Sequence, residues 1–170
     1  MSTRSRSRLF SFAVAVAVAA VAAAPAGAIV DEVGTGPYPS GSYVPAPTAT
    51  RAERAVKAAL STVGTPYRWG GESPATGFDC SGLVRWAYRR VGIDLPHSSY
   101  ALYSEGRRVR ETRMEAGDIL FFEGLGHVGL YLGNGRMVHS PETGRNVEVV
   151  RLESTNYGSR LIGARRVVAS

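Results

Sequence analysis

Three side chains in this sequence, one thiol and two imidazoles, are of the types that nucleophilic hydrolases use. Cys80 is the one cysteine among 170 residues and stands in the stretch FDCSGLVRWAYRR. His127 and His139 lie close together further along, in HVGLYLGNGRMVHS. A thiol attacks an acyl carbon when a base lies within hydrogen-bond reach and a third polar group orients that base. The three residues therefore form a candidate catalytic triad.

The same residue types have two other readings. A free cysteine often behaves as a small buried hydrophobe, and one cysteine with two histidines could bind a metal ion. The sequence has no C-x-x-C motif, no H-E-x-x-H motif and no fourth ligand at a familiar spacing, which disfavours a metal site. The residue types alone do not decide between a nucleophile and a buried thiol.

The residues around Cys80 predict a helix that begins at the thiol and runs to Val91. Apolar residues recur there at helical spacing, and Asp79 is a typical N-cap. The first turn of a helix presents unpaired N–H groups and the positive end of the helix dipole. We therefore expect the Cys80 thiol to be ionised, and the same N–H groups to be able to bind an oxyanion.

Two more helical segments flank this one. The stretch RAERAVKAALSTVG follows Thr50, a suitable cap, and predicts a first helix. Its apolar stripe consists of Ala55, Val56, Ala59, Leu60 and Val63. A short helical piece is predicted around residues 99–104, after the helix breaker Pro96.

Beyond Gly117 the pattern changes to short apolar stretches separated by Gly, Asn and Pro. The stretches DILFF, HVGLYLG, RMVHS, NVEVVRL and LIGARRVV predict four or five antiparallel strands. Helices that come first and strands that come afterwards indicate an α+β domain rather than a doubly wound sheet. Both strand-region histidines would then come from the sheet.

The alternation of the strands places the two histidines together. Val128 and Leu130 face the core, which leaves His127 on the opposite face of its strand. If residues 133–135 form a three-residue hairpin loop, odd-numbered positions lie across from odd-numbered ones. His139 then lies on the same face as His127, about one residue pair away.

The first 28 residues have the features of a secretory signal peptide. Three arginines precede an apolar run from Leu9 to Ala24, and small residues follow at positions 26–28. The run is shorter than the roughly 20 apolar residues that a membrane span needs, so no stable membrane anchor is expected. We predict cleavage near Ala28 and a secreted protein.

Composition and charge indicate the domain bounds and the class of partner for the rest of the chain. Residues 29–50 are rich in Gly, Pro, Ser and Thr and predict a flexible leader, so the folded domain should span residues 51–170. The net charge is +6, and beyond residue 28 there remain 17 basic and 14 acidic residues. The arginines are dispersed, so no nucleic-acid partner is expected.

From residue 51 to the end, the chain resembles the NlpC/P60 family of bacterial cell-wall cysteine peptidases. The resemblance rests on six motifs in one order. They are GTPYRWGG (64–71), FDCSGLV (78–84), LPHSS (95–99), AGDILFF (116–122), GHVGLYLGNG (126–135) and MVHS (137–140). It implies a compact papain-like α+β fold in which the Cys-bearing helix packs on the antiparallel sheet.

The resemblance also implies an activity. It is the hydrolysis of peptidoglycan stem peptides outside the cell, typically between D-γ-glutamyl and a diamino acid, through a thioester and without a cofactor or metal. Cys80 would be the nucleophile, His127 the general base and then acid, and His139 the residue that orients His127. Peptidoglycan would be the partner of a monomeric, cell-wall-associated enzyme.

Three further residues are candidate substrate contacts by the same resemblance: Tyr67, Asp79 and Ser81. Each has a structural alternative, since Asp79 and Ser81 could serve only the helix start, and Tyr67 could be core packing beside Trp69. In LPHSS, His97 stands where the family more often has arginine, and its role is left open.

Three alternative functions remain beside the endopeptidase. The same nucleophile could cleave the muramoyl to L-alanine amide or another wall crosslink. It could also transfer its acyl group to an amine, although the permuted relatives that do so place His before Cys, unlike the order here. The fold could finally serve a wall-binding protein without catalysis.

Overall fold

The structure is a computed structural model that describes residues 49–168. The predicted signal peptide and all but the last two residues of the predicted leader lie outside the described residues. In the described part, no helix has the length and apolar character needed to cross a membrane.

Residues 49–168 form four α-helices, two short 3₁₀ helices and eight strands. The α-helices are α1 (Arg51–Leu60), α2 (Cys80–Arg89), α3 (Ser99–Leu102) and α4 (Tyr157–Arg160), and the 3₁₀ helices are Glu111–Arg113 and Glu123–Leu125. The strands are β1 (Glu72–Ser73), β2 (Gly77–Phe78), β3 (Arg107–Val109), β4 (Ile119–Phe122), β5 (Val128–Gly133), β6 (Arg136–His139), β7 (Glu148–Arg151) and β8 (Leu161–Arg166).

Among these residues, six strands form one antiparallel sheet in the order β3-β8-β4-β5-β6-β7, and β1 pairs with β2 in a separate hairpin. The predicted α+β fold is confirmed, but the predicted four or five strands were too few. The strand of this six-stranded sheet that the prediction omitted is β3, and the short β1-β2 hairpin was not predicted either. Strand β3 has three residues, of which Arg107 and Arg108 are exposed, so it shows no apolar alternation.

Helix α1 begins with the predicted cap at Thr50. The Thr50 side chain accepts a hydrogen bond from the Glu53 N–H group, and the Glu53 carboxylate accepts one from the Thr50 N–H group. This reciprocal pair is a capping box, which is worth about 1 kcal/mol. The predicted apolar stripe was wrong at its C-terminal end, because Leu60 and Val63 are exposed. The helix ends at Leu60 and packs on α2 through small alanines.

Helix α2 supplies much of the core. One stripe of its side chains is fully buried against β4, β5 and β6, namely Leu83, Val84, Ala87 and Tyr88. Each large apolar side chain buried there stabilises the fold by about 1.5–3 kcal/mol. At its first turn, Gly82 lies directly on the loop before β1, since a Cβ atom there would be 2.0 Å from the Gly71 carbonyl oxygen. The start of α2 is therefore fixed against that loop.

The opposite face of the sheet is buried as well. Leu120, Phe122, Tyr131 and Met137 form a second apolar cluster there with Leu152. The central strands are thus covered on both sides, whereas the alternation of β5 had indicated one apolar face. Polar groups on these strands are consequently removed from water.

Candidate active site

Asp79 fixes the beginning of the Cys80 helix. One oxygen of its carboxylate accepts the N–H group of Gly82 at 2.7 Å and the hydroxyl of Ser81 at 3.1 Å. The other oxygen accepts the N–H group of Gly70 at 2.9 Å. The predicted N-cap is therefore confirmed, and the same carboxylate ties the loop before β1 to the first turn of α2. This network sets the position of Cys80.

His97, whose role the sequence left open, lies beside Asp79. Its Nε2 atom is 2.9 Å and 3.0 Å from the two oxygens of the Asp79 carboxylate. Its Nδ1 atom is 3.6 Å from Glu72, which in turn accepts a hydrogen bond from Arg85 at 2.8 Å. His97 therefore connects the helix cap to a chain of charged groups on α2 and β1.

The two strand histidines meet as the register predicted. Leu130 pairs with Val138 and Tyr131 with Met137, so odd-numbered positions do face odd-numbered positions. The predicted three-residue loop was nevertheless wrong, because Gly133 already pairs with Arg136. The loop has two residues, and an irregularity between Tyr131 and Gly133 adds the residue that keeps the register. Asn134 and its following glycine both have positive φ, as such tight turns require.

The imidazoles of His127 and His139 are hydrogen bonded. His127 Nε2 lies 2.8 Å from His139 Nδ1, and the two rings are nearly perpendicular. Since Nε2 of His127 faces His139, Nδ1 is the nitrogen that remains to exchange a proton with the thiol. This requires Nε2 of His127 to donate and His139 Nδ1 to accept.

The outer nitrogen of His139 is less well satisfied. His139 Nε2 lies 3.3 Å from an oxygen of Glu148, its partner across β6 and β7. Within the described residues this buried nitrogen nevertheless has no hydrogen-bond partner. The distance places Glu148 close to the histidine pair, but the geometry is that of a neighbouring charge rather than of a formed hydrogen bond.

Cys80 and His127 open onto one cavity of about 410 Å³. The predicted substrate contacts line it too, namely Tyr67, Asp79 and Ser81. His139 does not line this cavity, because it is fully buried behind His127. The fold thus brings the three predicted catalytic residues together, with His127 between the other two.

A hydrogen bond from sheet to helix holds the two halves of the site in place. The hydroxyl of Ser140, the residue after His139, donates to the carbonyl oxygen of Phe78 at 2.7 Å. Phe78 lies two residues before Cys80 and also forms a parallel bridge with Tyr67. The histidine strand, the nucleophile helix and the tyrosine loop are therefore joined at one buried point.

Comparison with known proteins supports a family assignment for this arrangement. The model of the NlpC/P60 family matches residues 64–166, which include every residue of the site described above. The chain belongs to the NlpC/P60 family. The resemblance in the six sequence motifs is thereby confirmed.

Several curated relatives of this NlpC/P60 chain are named as endopeptidases. It is 50% identical over 101 residues to "Probable endopeptidase Rv2190c" of Mycobacterium tuberculosis, covering 59% of this chain and 26% of the relative. It is 38% identical over 130 residues to the murein DD-endopeptidase MepH of Escherichia coli, covering 69% and 48%. It is 39% identical over 121 residues to the bifunctional muramidase/DL-endopeptidase CwlT of Bacillus subtilis, covering 68% and 36%. The chain thus spans between about a quarter and a half of the length of these relatives.

Solved structures agree with the assignment. A crystal structure of an NlpC/P60 family protein from Bacillus cereus matches with a TM-score of 0.67 and 34% sequence identity. The match covers 72% of this chain and 42% of that one. The fold of the described domain is therefore that of the NlpC/P60 family.

The charge state of the NlpC/P60 thiol differs from the sequence prediction. Burial raises the pKa of Cys80, and the nearby Asp79 carboxylate raises it further. The backbone N–H groups of Val128, Ser81 and Cys80 itself oppose this rise without cancelling it. The prediction of an ionised thiol was wrong, because desolvation of sulfur against the core outweighs the helix terminus.

The two histidines are also neutral at rest. Burial, with smaller contributions from His139 and Arg160, lowers the pKa of His127 to about 3. Burial and Arg145 lower the pKa of His139 to about 4. The resting pair is therefore a neutral thiol beside a neutral imidazole, and proton transfer must accompany the attack on substrate.

Two aromatic residues of the site were missed from the sequence. The ring of Tyr157 stacks on that of His127 with centroids 5.4 Å apart, and it is nearly perpendicular to the ring of His139 with centroids 4.9 Å apart. Trp69 is 86% exposed at the wall of the cavity, so it is not the core residue that the alternative for Tyr67 required. Trp69 could have been found from the sequence, because it lies in YRWGG beside the predicted contact Tyr67. Tyr157 could not, because nothing in the stretch NYGSR indicates a functional site.

No group of three or more His, Cys, Asp or Glu side chains in residues 49–168 is arranged to hold a metal ion.

Proposed function

We propose that this chain is a cysteine endopeptidase that hydrolyses the stem peptides of peptidoglycan. The observation that carries the proposal is geometric. Cys80 and His127 open onto one cavity, and His139 holds His127 from behind at 2.8 Å. The names of the curated relatives support the class of substrate. Work on the cell wall requires export, which the predicted signal peptide would provide.

The first half of the reaction forms a thioester. His127 Nδ1 takes the proton of the Cys80 thiol as sulfur attacks the carbonyl carbon of the scissile amide. The carbonyl oxygen gains negative charge, which the first N–H groups of α2 stabilise. The hydroxyl of Tyr67 is a further donor at the cavity wall, and because burial raises the pKa of Tyr67, it stays protonated. The carbon–nitrogen bond then breaks, and the leaving amine takes the proton from His127.

The second half restores the enzyme. A water molecule gives a proton to His127 Nδ1 and attacks the thioester carbon, and the carbon–sulfur bond breaks. The thiolate recovers the proton from His127, and the acyl half leaves as a carboxylic acid. His139 accepts the Nε2–H bond of His127 throughout, which keeps Nδ1 directed at the reacting atoms.

We propose the D-γ-glutamyl to diamino acid amide as the bond that is cleaved. The family resemblance and the DL-endopeptidase name of CwlT support this choice. The DD-endopeptidase name of MepH marks the chief alternative. Asp79 and Ser81 line the cavity as proposed contacts for the acyl half of the substrate.

Digestion of purified peptidoglycan tests the proposal. The purified protein should release fragments whose new termini, identified by mass spectrometry, are a D-glutamyl γ-carboxylate and a diamino acid amine. The Cys80→Ala variant should keep its thermal unfolding curve and release none of them. New termini at muramic acid would indicate an amidase, and D-alanine termini a DD-endopeptidase. Hydrolysis by the folded Cys80→Ala variant would exclude the thioester mechanism.

A further inference from the structure

A second cavity in the described part of the chain, of about 390 Å³, adjoins the catalytic one. The two cavities share Gly126, His127 and Pro141, and Cys80 lines only the first. His127 therefore separates the two cavities: the nucleophile lines the catalytic cavity, and the second cavity lies beyond His127. A substrate that reacts at Cys80 and reaches past His127 enters this second space.

The second cavity contains two guanidinium groups, from Arg145 and Arg160. They differ in how much of their hydrogen-bonding capacity the protein uses. Arg145 donates to Glu148 in a close ion pair. Arg160 has only a longer contact, 3.8 Å from the largely exposed Glu123 carboxylate, and within residues 49–168 its guanidinium makes no hydrogen bond. Arg160 is therefore the cation with donors to offer a ligand.

Both arginines lie close to the reacting groups. The charge of Arg160 contributes to the low pKa of His127, and the charge of Arg145 to that of His139. Their fields therefore reach the histidine pair. An anion placed between Arg160 and His127 would offset this field and would make it easier for the imidazole to carry a proton.

The order of proton transfers in the reaction indicates which half of the substrate lies in the second cavity. The leaving amine receives its proton from His127, so the residue that carries this amine lies on the His127 side of the scissile bond. The acyl half is held by Cys80 and remains in the first cavity. Groups that extend from the leaving residue are consequently directed toward Arg160 and Arg145.

We propose that the second cavity is the leaving-group subsite and that Arg160, supported by Arg145, binds a free carboxylate of the residue that carries the leaving amine. The assignment rests on the proposed function and adds a substrate class to it, amides of amines that bear a carboxylate. Arginine is suited to this task, because its planar guanidinium can bind a carboxylate through two parallel hydrogen bonds. The bound carboxylate also favours the protonated form of His127 that the leaving amine needs.

Two matched peptides test the proposal. Both contain a D-γ-glutamyl amide of a diamino acid; one keeps the free carboxylate of that residue, and the other has a carboxamide there. We expect kcat/KM of the purified protein to be about tenfold or more higher for the carboxylate peptide, as charge-assisted hydrogen bonds usually give. Arg160→Gln should reduce this ratio to near one, and Arg160→Lys should keep part of it. The exposed Arg54 on α1 lines neither cavity, and Arg54→Gln should leave the ratio unchanged.

Equal rates for the two peptides, or a full preference in Arg160→Gln, would overturn the subsite. A failure of the proposed function looks different, because neither peptide would then be hydrolysed. In that case, calorimetry on the Cys80→Ala protein still tests whether the second cavity binds a carboxylate. The ligands are the free diamino acid and its carboxamide. The subsite predicts tighter binding of the carboxylate form, lost in Cys80→Ala/Arg160→Gln. Equal affinities would refute it.

Discussion

Two buried polar clusters on the same sheet are built differently. On β8, Arg166 donates to both oxygens of Asp118 at 2.7 Å and 2.8 Å, to the carbonyl oxygen of Arg113 at 2.9 Å, and to Glu115. On β6, the equally buried His139 has one nitrogen bonded to His127, and its other nitrogen makes no hydrogen bond within the described residues. Every nitrogen of the Arg166 guanidinium is therefore hydrogen bonded, whereas one ring nitrogen of His139 is not.

Buried polar groups that hold this fold thus differ in protonation from those that can do chemistry. Hydrogen bonds to the two carboxylates raise the pKa of Arg166, so its charge is fixed and joins β8 to β4. The histidines have no such partners, and their pKa values are low enough for them to remain neutral. In the tautomer described above, Nδ1 of the neutral His127 imidazole is unprotonated and can accept a proton, whereas the guanidinium of Arg166 keeps its charge and cannot exchange one.

The sharpest way to separate the clusters is His127→Ala. Removing the base should lower kcat/KM on stem peptides by about four orders of magnitude, as for other members of catalytic triads. The free energy of unfolding should change by less than about 2 kcal/mol, since no charge is left unpaired. Peptide hydrolysis and urea denaturation measure the two effects. A large loss in the free energy of unfolding would instead give His127 a structural role like that of Arg166.

The converse change is Arg166→Met. It leaves the buried Asp118 carboxylate without its guanidinium, and we expect a loss of about 3–5 kcal/mol in the free energy of unfolding. Arg165→Met, one residue earlier on β8, is the matched control. That arginine lies over the ring of Tyr103 at 4.6 Å, a contact worth about 1 kcal/mol. Similar losses for both variants by urea denaturation would contradict the special role of the Arg166 cluster.

His139→Ala should have an intermediate effect. It removes the group that orients His127 but leaves the base in place, so we expect kcat/KM to fall about 10- to 100-fold. His139→Gln, which can still accept the hydrogen bond of His127, should recover part of the loss. If His139→Ala is as inactive as His127→Ala, His139 takes part in proton transfer directly.

Tyr157→Ala should have a smaller effect still. Its ring covers both imidazoles, and without this cover water can compete for the hydrogen bond between them. We expect about a tenfold loss in kcat and an acid limb of the pH profile that moves toward the ordinary histidine range. Tyr157→Phe keeps the stacked ring and is the control. An unchanged pH profile in Tyr157→Ala would show that the ring does not shield the pair.

The smallest change is expected with pH. A base with the ordinary histidine pKa of about 6.5 would lose about 25-fold in kcat/KM between pH 7 and pH 5. Because the pKa of His127 is lowered to about 3, we expect less than about a twofold loss over that range. An acid limb centred near pH 6.5 would contradict the buried, neutral pair.

The same low pKa values predict that the free energy of unfolding, unlike kcat/KM, depends on pH in this range. Below about pH 6.5 the unfolded chain binds protons at His127 and His139 that the folded chain does not. The free energy of unfolding should therefore decrease as the pH falls from 6.5 toward 4. Urea denaturation across this range measures the effect, and His139→Gln should reduce it.

Local features of the site could be predicted from the sequence. The cap at Asp79 and the start of α2 at Cys80 follow from residues within one helical turn. The register of His127 and His139 follows from the alternation of the strands, and this prediction was confirmed although the predicted loop length was wrong. The family resemblance added the role of each residue.

Features that depend on distant contacts were not predictable. Tyr157, the first residue of α4, contacts the histidines although it lies 30 positions beyond His127 in the chain. The bond between His97 and Asp79 also joins separate segments. The thiol was predicted to be ionised because its helix position is local information, whereas the desolvation that opposes ionisation comes from packing of the whole core.

The place of β8 in the sheet has a consequence for how activity arises. This strand comes last in the described chain, yet it is inserted between β3 and β4, and Arg166 locks it there. Until it is in place, β3 has no partner in the sheet and β4 lacks a neighbour on that side, although β4 to β7 can already pair. A chain cut short before residue 161 should therefore lose β3 together with β8 and leave the buried Asp118 carboxylate without its guanidinium. The histidine strands would then stand in a four-stranded remnant with an open edge at β4.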